Sequence, residues 1–112
     1  MPLHDKYSIF YHCEESGDDV PSNSPVEYQL DTIIDMSMQL LLSDGDFFGV
    51  VNGEGRTVQF IVDGNSIVID IPDLIKQGSH SREIRMSELE NTIKCIDQLF
   101  LDNLKGYKFS SW

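Results

Sequence analysis

At 112 residues the chain has room for one hydrophobic core and not for two. Hydrophobic residues at 40% and aromatic ones at 10% separate it from disordered chains, which lack the apolar surface to offset the entropy of ordering. A formal net charge of −11, from 19 acids against 8 Lys and Arg, speaks against direct binding to nucleic acid or an anionic membrane and fits either a basic protein partner or a charge that serves solubility alone.

That charge is concentrated. Residues 1–55 carry eleven acids and one base, Lys6, for −10, whereas residues 56–112 carry eight acids and seven bases, for −1. Cys13 and Cys95 form no C-x-x-C and have no third partner, so neither a disulfide framework nor a thiolate metal site is signalled. The opening "MPLHDKYSIFYH" lacks a long apolar run with a cleavage site, and no segment nears the roughly 20 apolar residues of a membrane span. The cytoplasm is the expected compartment.

In chain order, "KYSIFYHC" (residues 6–13) is β-branched and aromatic, with Tyr7, Ile9 and Tyr11 alternating against Ser8, Phe10 and His12, and predicts a strand. "EESGDDVPSNS" (about 14–24) has no hydrophobic period and predicts a mobile acidic loop. "SPVE" places Ser24 as a helix N-cap, Pro25 in the first turn and Glu27 three residues after the cap. Leu30, Ile33, Ile34, Met38 and Leu41 then recur at helical spacing, giving a helix to about Leu42.

The period next changes to two. "DFFGVV", "TVQFIVD" and "SIVIDIP" are separated by "NGEG" and "DGN", strong hairpin signals, so a β-meander is expected over about 46–72. Val58, Phe60 and Val62 share one face of its middle strand, with Thr57, Gln59 and Ile61 on the other. "DLIKQGSHS" reads as a loop and "REIRM" as an edge strand whose Arg82 and Arg85 discourage further pairing. "SELE" repeats the capping pattern from Ser87, and Leu89, Ile93, Ile96 and Phe100 mark a C-terminal helix over about 88–103. The tail "YKFSSW" alternates and either docks as a short strand or lies loose. The sum is one α+β domain over 1–112, an antiparallel sheet of about four to five strands with two helices packed on one face.

Gly53-Glu54-Gly55 lies between two strands and offers a carboxylate where a phosphate needs amides and a lysine. As a calcium loop starting at Asp44, only positions 1, 3 and 6 match by type, because Phe48 and Gly55 occupy positions 5 and 12. "DFFG" resembles the kinase Asp-Phe-Gly without its companion motifs. Cys13 and His12 are adjacent in a strand and point to opposite faces, which separates a thiol from a base. His4, His12 and His80 lack any paired-ligand spacing. No cofactor or metal is expected, and no catalytic residue is assigned. What remains is a surface: Glu14, Glu15, Asp18 and Asp19 before the first helix, and Asp44, Asp46 and Glu54 around the first hairpin, which make one anionic partner-binding patch if the fold brings them together.

The meander "FFGVVNGEGRTVQFIVDGNSIVIDIP", the helix "SELENTIKCIDQLF" and the terminal Trp112 together resemble the small acidic immunity proteins of bacterial polymorphic-toxin and contact-inhibition systems. The resemblance spans residues 44–112 in pattern and size and transfers no residue roles. It implies a non-enzymatic, cytoplasmic bacterial protein, encoded beside a toxin, that binds a nuclease- or deaminase-like toxin domain and blocks its active site. The alternatives are a phage-encoded nucleic-acid mimic or anti-defence inhibitor, a small hydrolase or metal-dependent enzyme using His12, Cys13 or His80, and an accessory domain. A homodimer through an edge strand is a further possibility.

Overall fold

The computed structural model describes residues 6–101 and 104–112; His4 and the expected end of the C-terminal helix at 102–103 lie outside the described residues. In chain order the described elements are β1 (Lys6–His12), β2 (Asp19–Val20), β3 (Val26–Gln29), α1 (Leu30–Leu40), β4 (Phe47–Val51), β5 (Thr57–Asp63), β6 (Ser66–Asp73) and β7 (Gly78–Arg85). A 3₁₀ turn (Met86–Glu88), α2 (Leu89–Lys94), α3 (Ile96–Phe100) and β8 (Lys108–Ser111) complete them. The eight strands make one antiparallel sheet in the order β2 and β3 together, then β1, β4, β5, β6, β7 and β8. The architecture is α+β, and the expectation of four to five strands and two helices undercounts both.

The missing strands were hidden by stronger local signals. Ser24 and Pro25 do not start a helix; Val26 to Gln29 pair with β1, Val26 opposite Ile9 and Tyr28 opposite Tyr7, and the helix begins only at Leu30, with Gln29 as its N-cap. Valine and tyrosine suit a pleated strand, and pairing satisfies backbone groups along an otherwise bare edge of β1. The acidic loop likewise contains a short paired segment, Asp19 opposite His12 and Val20 opposite Tyr11. At the other side, "GSHS" belongs to β7 rather than to a loop, and the tail docks on that half, with Phe109 opposite His80; β8 covers only Gly78 to Ser81 and leaves the outer edge of Arg82 to Arg85 uncovered by it, as expected for "REIRM". The C-terminal helix is broken at Cys95 into α2 and α3. Ser87 does not cap it: the Glu88 side chain instead accepts a hydrogen bond from the Arg85 amide at 3.2 Å.

One face of the sheet and the helices share the core. Tyr7, Ile9, Phe48, Val50, Val58, Phe60, Val62, Ile67, Ile69 and Ile71 are all buried, and Ile33 and Ile34 of α1 with Leu89, Ile93, Ile96, Leu99 and Phe100 of α2 and α3 close over them. In α1 Ile33, Ile34 and Ser37 are buried, as is Leu41 just past its end, whereas Met38, expected inside, is exposed. The Tyr7 ring stacks on Phe100 with centroids 5.9 Å apart, and its hydroxyl donates to Asp97, which ties β1 to α3. None of the described helices is long and apolar enough to cross a membrane.

Candidate functional site

Register fixes which loops meet. His12, Phe47, Ile61, Val68 and Glu83 stand side by side across β1, β4, β5, β6 and β7, so the β1–β2 turn, the α1–β4 loop and the β5–β6 turn leave the sheet at one end. These segments carry Glu14, Glu15, Asp18, Asp19, Asp44, Asp46 and Asp63.

Two aspartates of the α1–β4 loop hold the three segments together. Asp46 is only 1% exposed. Its Oδ1 accepts from the Glu14 amide at 3.0 Å, and its Oδ2 accepts from the amides of Ser43 at 2.8 Å and Leu42 at 3.2 Å. Burial works against its charge, but those amides, with a smaller attraction from His12, outweigh burial and hold the carboxyl below the usual range. Asp44 Oδ1 accepts from the Gly64 amide at 2.9 Å, and the Gly45 amide donates to the Val62 carbonyl at 2.9 Å. The acidic loops are thus linked by hydrogen bonds rather than merely near in sequence.

Glu14, Glu15, Asp18, Asp19 and Asp44 are exposed at this end. The other two expected contact residues are corrected. Asp46 is an interior acceptor, and a carboxylate already holding three amides away from solvent cannot reach a partner. Glu54 sits in the β4–β5 turn at the opposite end of the sheet, five strand residues or about 17 Å away. The field at the acidic end is felt by Tyr11, whose phenol is pushed above its ordinary value by burial first and then by the Asp18 carboxylate. His12 lies 3.4 Å from both the Glu14 and the Asp19 carboxylates, and its ring stacks on Phe47.

Charge counting overlooked an apolar component. Phe47, Ile61 and Val68 are half-buried neighbours on the face opposite the core, in the row next to the acidic loops. Phe10, on the same face but buried, lies across Gly49: a Cβ at that glycine would fall 2.1 Å from Phe10 Cζ. The signal was present in the alternation, since Ile61 occupies a position the period assigns to the non-core face.

Residues considered for catalysis do not converge. His12 on β1 and His80 on β7 are separated by three intervening strands. Cys13 is fully buried while Cys95 is exposed on the helical layer. His80 Nε2 lies 3.2 Å from Asp73 Oδ2, closing the β6–β7 turn, and Asp73 is held below the usual carboxylate range chiefly by the Lys76 amide and then by His80. Among the described residues no group of three or more His, Cys, Asp or Glu could hold a metal ion. Compared with protein-family models, with curated proteins and with solved structures, the chain matches none.

Proposed function

We propose that the chain is a non-enzymatic binding protein that sets its acidic sheet end against a basic partner and acts as an inhibitor or immunity protein, covering the active site of a toxin that works on nucleic acid. The observation that carries this reading is the hydrogen-bonded assembly of three acidic loops beside the half-buried strip of Phe47, Ile61 and Val68. Carboxylates at the rim steer a cationic partner and reject anionic ones, and the apolar strip supplies the desolvated centre that affinity requires. Loops already tied by Asp44 and Asp46 lose little conformational freedom on docking. An enzyme that handles nucleic acid needs cations against phosphates, and this surface competes for those same cations.

The test is affinity capture with the purified protein from a lysate of its native host, washed at low and then high salt, followed by an activity assay on whatever is retained. The expected result is one basic protein released by salt, whose activity on nucleic acid is abolished by stoichiometric addition of this chain. A retained protein that is acidic, or whose activity is unchanged, would overturn the reading.

A further inference from the structure

A concave site lies on the helical face of the sheet, on its β6–β7 side, with β4 and β5 between it and the β1 strand from which the Glu14–Asp19 loop leaves. A cavity of about 370 Å³ opens between β6, β7, the two C-terminal helices and the segment leading to β8. Such a volume is in the range of small-molecule sites. Its floor is apolar, made by the buried side chains of Ile69, Ile84 and Leu99. Its rim is cationic. Arg82 stands over the Tyr107 ring, 6.0 Å from the centroid, and a Cβ built at Gly106 would lie 3.9 Å from its Nη1, so the guanidinium sits beside the backbone that carries Lys105.

Arg82 and Lys105 thus share one cavity in a chain of net charge −11. Among the described residues no carboxylate lies within ion-pair distance of either. Glu88 also lines the cavity, but its carboxylate is engaged by Arg85, at 3.2 Å from the amide and 3.4 Å from Nε. Two neighbouring cations over an apolar floor have a natural counterpart in one ligand chemistry: a carboxylate for the fork of Arg82 and the ammonium of Lys105, joined to a short hydrocarbon body for Ile69, Ile84 and Leu99.

We infer that this cavity binds a small amphipathic carboxylate, held at its head by Arg82 and Lys105. The inference rests on this cavity alone and not on the proposed protein partner. Cys95, exposed on the cavity wall, provides a reporter, because Cys13 is fully buried and reacts more slowly with a neutral thiol reagent.

The experiment measures alkylation of Cys95 by N-ethylmaleimide, followed by peptide mass spectrometry, with octanoate, octanol or octylammonium as probe. Octanoate should slow the reaction about fivefold at a concentration about four times its Kd, since only unoccupied cavities react. Octylammonium should leave the rate unchanged, octanol should protect more weakly, and the double variant Arg82→Ala/Lys105→Ala should lose protection, read as the ratio of its own rates with and without probe so that any change in basal thiol reactivity cancels. Should that variant fail to fold, the exposed Lys105→Glu alone should reduce octanoate protection and confer protection by octylammonium. Equal protection by all three probes, no protection by octanoate, or protection undiminished in the charge variants would overturn the inference.

Discussion

Asp46 ties the β1–β2 turn to the α1–β4 loop through three backbone amides. In Asp46→Asn one of the two acceptor positions becomes a donor facing an amide, so the expected loss at pH 7 is about 2–3 kcal/mol in urea unfolding. Its folded carboxyl titrates below the unfolded value of about 3.9, so its contribution is full above that value and is lost as pH falls through it toward the folded one. The variant and the parent should therefore converge in stability as the solution is acidified. Asp70 has the opposite sign: burial first raises its carboxyl, with the Ser79 hydroxyl partly opposing. Its charged form costs stability as pH rises through the raised value, so Asp70→Asn should be the more stable protein at pH 7, with no gain below about pH 3.9. Gly49→Ala should cost about 1–3 kcal/mol, because the methyl group displaces the Phe10 ring that covers the glycine.

At the scale of elements, long runs with one clear period were legible and short segments that depend on a distant partner were not. The alternation in "TVQFIVD" marks β5 without help, since Val58, Phe60 and Val62 are buried as the period requires. Val26 to Gln29 carry a weak strand preference overridden on paper by the Ser-Pro-x-Glu pattern; what makes them a strand is the exposed edge of β1, which local sequence does not reveal. Backbone chemical shifts should accordingly be β-type at Val26 to Gln29 and helical only from Leu30, and helical shifts from Val26 onward would contradict this pairing. The same limit left the tail open between a docked strand and a loose end: the four residues of β8 are exposed and gain their structure only from β7, so alternation alone could not decide. The end of α3 depends on another distant contact: Arg56 Nη1 donates to the Phe100 carbonyl at 2.7 Å. Arg56→Met should cost about 1.5–3 kcal/mol in urea unfolding, as expected for a hydrogen bond from a charged donor.

At the scale of the whole molecule, the sequence made the excess of acid plain but not its geometry. Five of the seven acids singled out by position, Glu14, Glu15, Asp18, Asp19 and Asp44, stand exposed at one end of the sheet. Asp46 was indistinguishable from them by type, and only the fold buries it; Glu54 was near them in sequence, and only the direction of β4 sends it to the far end. That separation supplies an internal control for the central claim, that the acidic end is the contact surface. The decisive measurement is the affinity for the captured basic partner of two variants, Glu14→Gln/Glu15→Gln/Asp18→Asn/Asp19→Asn and Glu54→Gln, at low and high salt. The account predicts a loss of about tenfold or more for the first at low salt, with a flatter salt dependence, and a change of less than about twofold for the second. Equal effects of the two, or an unaltered affinity in the first, would contradict it.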